Sequence, residues 1–219
     1  MTSSQTGMPV VLIGGGGHAS VLADILNSQN REICAVISPV DVSVRQAFGN
    51  IPVLTSDKDI AQFSPQSVKL VNGIGMLPFS SLRRDVTSWY WSMGYRFETV
   101  ISQNALVSPY AVLEEGVQVF PGAVVQAGAV VRKQTIINTG AVVEHDCQIG
   151  AFNHIAPRGV VCGGVKTGEQ VFIGANATVT QGVLLDEQSV VGAGAILSEN
   201  LPTKAVCYPS RCVIKLHTD

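Results

Sequence analysis

The chain has 219 residues, which is long enough for one large domain or for two small domains with cores of their own. Hydrophobic residues make up 46% of it and charged residues only 14%, a composition that excludes a disordered chain and a coiled coil. The net charge of −2, without a basic run, argues against nucleic acid as the main partner.

The cysteines and the N-terminal residues bear on the compartment. The five cysteines are an odd number and form no CxxC pair, which fits reduced thiols better than a disulfide framework or a zinc site. Residues 1–20 carry no positively charged segment, and their apolar run ends at Gly14. We therefore expect a cytoplasmic protein without a signal peptide, and we expect no membrane insertion.

Predicted strands alternate with predicted helices over the first hundred residues. This order predicts a small, Rossmann-like α/β domain with a parallel sheet over residues 1–100. The predicted strands are Val10–Ile13, Ile33–Ile37, Ile51–Leu54, Val68–Asn72 and Phe97–Ile101, and the predicted helices run from about Ala19 to Asn27 and from about Ser80 to Met93.

A glycine-rich turn, Gly14–Gly17, follows the first predicted strand. Its backbone N–H groups can approach a phosphate near the N-terminus of the next helix. A dinucleotide fold needs an acidic residue at the end of the second strand to hold the ribose, but Ser38 and Pro39 stand there. The turn therefore favours a nucleotide or nucleotide-sugar over NAD, and a purely structural glycine turn is the remaining alternative.

The strongest periodicity in the chain runs in steps of six residues from Ile101 to Leu197. Sixteen of these seventeen positions are aliphatic, Thr167 being the exception, and a mostly small residue such as Ala123 follows four residues after each. This is the hexapeptide pattern of a parallel β-helix. Three hexapeptides close a coil of 18 residues, and coils stack at about 4.8 Å. We predict five to six coils over 101–200, within a second domain of residues 101–219 that ends in a short tail.

One charged cluster, Glu144-His145-Asp146, stands out in the nearly uncharged repeat region. A histidine has an unperturbed pKa of about 6.5 and suits general-base catalysis. A carboxylate on its other ring nitrogen fixes the tautomer, and either Glu144 or Asp146 can supply it. One coil further on lies Gly163, whose N–H is an expected oxyanion donor next to His145. The alternative interpretation is a solvated corner.

The glycine-rich α/β domain, the segments VNGIG and VEHDCQIGAFNHIAP, and the hexapeptide pattern together resemble the bacterial sugar acyltransferases of the sialic acid O-acetyltransferase family. The likeness is closest to the members that acetylate UDP-linked 4-amino-sugars. The resemblance implies a left-handed β-helix, a homotrimer, acetyl-CoA in the cleft between neighbouring subunits, and a nucleotide-sugar on the N-terminal domain. No metal is expected.

The resemblance also implies roles for individual residues. His145 matches the catalytic base and Asp146 the acid that orients it, and the further catalytic candidates are Glu144 and Asn138. The candidates for cofactor binding are His154, Gly163, Gly164, Ala175, Ala193 and Lys215. The candidates for substrate binding are Gly15, Gly16, Gly17, His18, Asn72 and Gly73. Ser38 and Pro39 replace aspartates that the family often carries, and YPSRCVIK lacks the usual glycine before its asparagine-proline, so contacts to ribose and CoA stay open at both places.

We therefore predict an acetyl-CoA-dependent N-acetyltransferase that acts on the 4-amino group of a UDP-linked 4-amino-4,6-dideoxy-sugar in glycan precursor synthesis. The alternatives are O-acetylation of a sialic acid, N-acetylation of a perosamine-type GDP- or dTDP-sugar, and a non-catalytic trimeric β-helix scaffold. A zinc hydratase of the carbonic anhydrase type needs three histidines, but only His145 and His154 lie in the predicted β-helix. The sequence does not choose the nucleotide or the epimer of the sugar.

Overall fold

The computed structural model describes residues 7–42 and 44–210. The chain first forms a four-stranded parallel sheet in the order β3-β2-β1-β4 and then a β-helix. The sheet strands are β1 (Val10–Ile13), β2 (Ile33–Ile37), β3 (Val53–Leu54) and β4 (Lys69–Asn72), and the helices are α1 (Gly17–Ser28) and α2 (Leu82–Ser92), with short 3₁₀ helices at Gln46–Phe48 and Asp57–Gln62. None of the described helices has the length and apolar character that a membrane crossing requires.

The sheet is buried on both faces, because side chains of a strand alternate between the faces. Val10 and Leu12 pack with α1, whereas Val11 and Ile13 pack with Tyr90 of α2. This arrangement confirms the predicted α/β class and explains why β1 reads as an unbroken apolar run.

Three predicted strands differ from the observed ones. The strand predicted at Val68–Asn72 begins at Lys69. The strand predicted at Ile51–Leu54 begins only at Val53. The strand predicted at Phe97–Ile101 splits between two sheets: Phe97 forms a single bridge to Leu70, and Val100–Ile101 is the first strand of the β-helix. The proposed domain boundary at residue 100 falls in this junction and stays a prediction.

The β-helix consists of eighteen described two-residue strands, β5 to β22 in chain order, on three sides. The domain side, which contacts the N-terminal domain, holds Val100–Ile101, Gln118–Val119, Ile136–Ile137, His154–Ile155, Phe172–Ile173, Val190–Val191 and Val206–Cys207. The apolar side holds Leu106–Val107, Val124–Val125, Val142–Val143, Val160–Val161, Thr178–Val179 and Ile196–Leu197. The third side holds Val112–Leu113, Val130–Val131, Gln148–Ile149, Lys166–Thr167 and Leu184–Leu185.

The register confirms the coil length. Paired residues such as Val142 and Val160 are 18 positions apart, and the second residue of each pair of strand residues fills the interior. The last coil is shorter, since Val190 pairs with Val206.

Two of the corners between the three sides of the β-helix concern the site. The Asn138 corner (138–141 and the equivalents 18 residues apart) lies between the domain and apolar sides, and the His145 corner (144–147 and equivalents) lies between the apolar and third sides.

The N-terminal domain rests on the domain side of the β-helix through specific polar contacts. Gln118 donates from Nε2 to the Asn72 carbonyl at 2.7 Å. Arg83, which is buried, donates from Nε to the Gln134 carbonyl at 3.2 Å. These contacts place the end of β4 against the middle coils, and they leave the His145 corner of the same chain uncovered.

Candidate active site

The His145 corner holds a hydrogen-bonded imidazole and carboxylate. His145 Nδ1 lies 2.9 Å from Oδ2 of Asp146. Because an ionised carboxylate only accepts, Nδ1 donates and Nε2 is left as the basic nitrogen. Asp146 has a φ of 61°, and this left-handed turn folds its carboxylate back onto the ring. Glu144 contributes only a 3.4 Å contact to the His145 backbone N–H, so the geometry pairs His145 with Asp146.

The surroundings of His145 make it a stronger base than a free imidazole. The hydrogen bond to Asp146 is the main cause that raises its pKa above the usual value, and the charges of Asp146 and Glu144 add to it. The side chain is 65% exposed. A proton acceptor of this kind suits removal of a proton from an amine near neutral pH.

Two glycines make room for this pair, one coil to either side. A Cβ on Gly163 would lie 2.6 Å from Nε2 of His145, and a Cβ on Gly128 would collide with the carboxylate of Asp146. In the described part of the chain, the Gly163 N–H has no hydrogen-bond acceptor. The oxyanion role predicted for Gly163 stays a prediction. Gly128 was missed, although it lies 18 residues before Asp146 and the coil length would have pointed to it.

A second polar cluster lies at the Asn138 corner. His154 accepts at Nε2 from Asn138 Nδ2 at 2.9 Å, and its Nδ1 lies 3.2 Å from the Met76 carbonyl. Burial is the main cause that lowers the pKa of His154 to about 4, so the ring is neutral. Within one chain the structure therefore brings Asn138 to His154 and not to His145, and the catalytic role predicted for Asn138 remains a prediction.

The residues predicted to bind the cofactor divide between the two corners. Gly163 and Gly164 lie at the His145 corner, whereas Ala175 and Ala193 lie at the Asn138 corner, in later coils. Lys215 lies outside the described residues. The apolar side separates the two groups, so a single chain does not assemble them into one cleft.

The glycine turn contains two kinds of glycine. Gly15 and Gly73 are required for packing, because a Cβ on Gly15 would meet Ser38 and Val42 and one on Gly73 would lie 2.6 Å from Ala19 Cβ. A Cβ on Gly16, the N-cap of α1, would meet nothing within 4 Å. Gly16 therefore faces free space at a helix N-terminus, where backbone N–H groups attract anions. This free space beside Gly16 is the open ground of the domain.

Arg45 was missed by sequence reasoning and lies beside this open ground. Its Nη1 would be 3.9 Å from a Cβ on Gly17, and no ion pair of the described residues includes it. Nothing in the sequence marks Arg45, because it lies in a loop almost thirty residues after the turn. A half-buried guanidinium at this place suits a phosphate.

Asn72 and His18 are tied into the fold. Asn72 donates from Nδ2 to Thr87 Oγ1 at 2.9 Å and accepts at Oδ1 from the Ile74 N–H at 3.0 Å. Its amide is therefore fully used in shaping the loop after β4. His18 Nε2 lies 2.8 Å from Gln118 Oε1. The described side chains bring no three histidine, cysteine, aspartate or glutamate residues together as a metal site.

Comparison with known proteins identifies both parts of the chain. Residues 9–88 match the PglD N-terminal domain, and residues 164–199 match the hexapeptide repeat of succinyl-transferase. PerB from Caulobacter crescentus, solved with CoA and GDP-perosamine, is 32% identical over 93% of this chain and 95% of its own, with a TM-score of 0.81. The acetyltransferase domain of PglB from Neisseria gonorrhoeae FA1090, solved with acetyl coenzyme A, is 27% identical over 91% of this chain and 95% of its own, with a TM-score of 0.80. The two-part fold and the identity to PerB over nearly the whole chain show that the protein belongs to the left-handed β-helix sugar N-acetyltransferases.

Proposed function

We propose that the protein transfers the acetyl group of acetyl-CoA to the 4-amino group of a UDP-linked 4-amino-4,6-dideoxy-sugar. The observation that carries the proposal is the His145–Asp146 pair, whose free Nε2 lies against Gly163. The ligands named for PerB and PglB support the two substrate classes. A GDP-linked perosamine is the second candidate, because PerB was solved with that sugar.

In the proposed reaction, His145 Nε2 accepts a proton from the amine as the nitrogen attacks the thioester carbonyl. The C–N bond forms, the C–S bond breaks, and the imidazolium returns the proton to the departing CoA thiolate. Asp146 holds the tautomer and stabilises the imidazolium. The free Gly163 N–H donates to the developing oxyanion. Each of these tasks uses an atom that the fold leaves available.

The open ground beside Gly16 is the proposed place of the nucleotide diphosphate. Its charge meets the backbone N–H groups at the start of α1 and the guanidinium of Arg45. Because Gly16 and Gly17 leave room for a close approach, the diphosphate contacts the main chain directly.

The four described cysteines are free thiols, which supports the proposed cytoplasmic location.

The proposed active unit is a homotrimer with each site formed by two subunits. The base lies at the His145 corner, whereas the N-terminal domain and the Asn138 corner lie across the apolar side. That side presents outward Leu106 and Ile196, which are 71% and 73% exposed, together with half-buried valines. In a threefold ring each interface joins different patches of two neighbours. Such an interface covers the apolar side and brings one subunit's His145 to its neighbour's nucleotide-sugar.

A substrate panel tests the reaction. Purified protein is given acetyl-CoA with UDP-, GDP- or dTDP-linked 4-amino sugars, or with a sialic acid, and free thiol release is followed. The account expects the fastest release with a UDP-linked 4-amino-sugar. Faster release with GDP-perosamine selects the second candidate, release only with sialic acid contradicts N-transfer, and no release with any acceptor favours a scaffold.

Mixed trimers test the shared site. One variant is His145→Ala, and the other is Gly16→Val, which fills open ground without a clash in the fold. Each alone is expected to be inactive. If each site takes its base from one subunit and its nucleotide site from the next, random mixing of equal amounts restores about one quarter of wild-type activity. Absence of any recovery in verified mixed trimers contradicts the shared site.

A further inference from the structure

His18 lies where the two glycine segments of the N-terminal domain meet. It is the second residue of α1, and a Cβ on Gly75 would lie 3.7 Å from its Cβ and 3.9 Å from its Cγ. Phe120 of the β-helix stacks on the ring with centroids 5.0 Å apart. The ring is thus held in one orientation at the start of α1, two residues after Gly16.

The hydrogen-bond chain fixes which ring nitrogen of His18 carries the proton. Gln118 donates from Nε2 to the Asn72 carbonyl, which can only accept, so its Oε1 is the atom that faces His18 Nε2. An amide oxygen also only accepts, and Nε2 therefore carries the hydrogen. In a neutral ring this leaves Nδ1 with a lone pair.

The ring is kept neutral by its surroundings. Burial is the main cause that lowers the pKa of His18 to about 3, and the charge of Arg83 on α2 adds to it, with His154 contributing in the same direction. A neutral imidazole offers no positive charge to a phosphate. The task left to His18 is that of a hydrogen-bond acceptor.

Nδ1 of His18 is accessible and unused in the described chain. Among the described residues, the buried side-chain nitrogen and oxygen atoms without a partner belong to Arg31, Arg83, Glu98 and Gln134. Nδ1 of His18 is not one of them, yet no described residue donates to it. It is therefore an acceptor that is not sealed from solvent.

We propose that Nδ1 of His18 accepts a hydrogen bond from a hydroxyl or N–H group of the bound nucleotide-sugar. This rests on the proposed function for the substrate class. His18 then recognises a hydrogen-bond donor of the substrate, while Gly16, Gly17 and Arg45 contact its phosphates. The assignment separates a specificity contact from the charge contacts of the same site.

Two isosteric substitutions test the proposal, because glutamine places its amide where Nε2 stands and asparagine where Nδ1 stands. His18→Gln keeps the link to Gln118 but removes the acceptor, so we expect KM for the nucleotide-sugar to rise about three- to tenfold. KM for acetyl-CoA and the melting temperature stay near wild type. His18→Asn keeps an acceptor and loses the link, so we expect a lower melting temperature and a smaller rise in that KM.

The opposite pattern overturns the proposal. If His18→Gln has normal KM for the nucleotide-sugar while His18→Asn is destabilised, His18 serves only as a link between the domains. Should either variant fail to fold, the wild-type protein labelled with ¹⁵N-histidine decides. Adding the nucleotide-sugar is expected to shift the unprotonated His18 nitrogen upfield, and an unmoved resonance at saturation contradicts the contact.

Failure of the proposed function gives a different result. A wild-type protein that releases no thiol with any nucleotide-amino-sugar contradicts the function, whatever His18 does. In that case, binding of UDP, GDP and dTDP by calorimetry replaces KM. A loss of three- to tenfold in His18→Gln supports the acceptor role, and unchanged binding contradicts it.

Discussion

The substitution Gly163→Ala tests the proposed base His145, because the added Cβ displaces the imidazole ring. This Cβ would lie 2.6 Å from His145 Nε2 and 2.7 Å from Cε1, whereas nonbonded carbon contacts lie at about 3.5–4.0 Å. The ring must therefore move by about 1 Å. A displacement of that size at a reacting group lowers kcat by about 100-fold.

This loss should occur without a loss of stability. The backbone of Gly163 is outside the left-handed region, so alanine is unstrained there, and the exposed imidazole can rotate into solvent. The assay is thiol release at saturating substrates, with the melting temperature of the same preparation. A kcat within about threefold of wild type would refute the reasoning that the ring needs this glycine.

Gly94→Ala is the matched control. Gly94 has a φ of 86° with open space around it and follows α2, away from the β-helix corners. Alanine in that conformation costs about 1 kcal/mol in the free energy of unfolding. We expect a lower melting temperature and normal kcat, which is the reverse of Gly163→Ala.

Three further predictions concern ionisable side chains. Asparagine tolerates the left-handed turn at position 146, but Asp146→Asn removes the carboxylate hydrogen bond that raises the pKa of His145. We therefore expect kcat to fall and the acidic limb of the pH profile of kcat/KM to move to lower pH. An acidic limb that does not move contradicts the pairing. Burial lowers the pKa of His18 to about 3 and that of His154 to about 4, whereas the same side chains in the unfolded chain bind protons below about pH 6.5. The free energy of unfolding therefore falls on acidification by up to about 1.4 kcal/mol per pH unit for each histidine. A urea midpoint that does not change from pH 7 to 5 contradicts this. Arg45→Gln lowers calorimetric affinity for UDP about tenfold at unchanged KM for acetyl-CoA, and unchanged UDP affinity contradicts the phosphate contact.

The fold was predictable where the local sequence alone determines the structure of a segment. Almost every strand residue that fills the interior of a coil is aliphatic, Thr167 being the exception, so the six-residue period predicts the β-helix directly. β1 and β2 are buried on both faces and match their predicted bounds. The segment Phe97–Ile101 was not predictable, because two different sheets compete for it, and only the packed structure decides that Phe97 pairs with Leu70.

The candidate site divides in the same way. His145 and Asp146 are neighbours in sequence, so their pairing was accessible, but the choice against Glu144 needed the left-handed turn at Asp146. Arg45 and Gln118 reach the glycine turn from distant parts of the chain. No local pattern marks such contacts, because they arise only when distant segments of the chain pack together: Arg45 belongs to the same domain as the turn, whereas Gln118 comes from the β-helix.

The most direct test of the central claim is kcat of His145→Ala in the assembled protein. The imidazole is exposed and contributes no buried packing, so the variant should form the same oligomer with the same melting temperature. With the best acceptor of the substrate panel, the account predicts a kcat lower by about 10²- to 10⁴-fold at a nearly unchanged KM for acetyl-CoA. A correctly assembled His145→Ala protein with near-normal turnover would contradict the account.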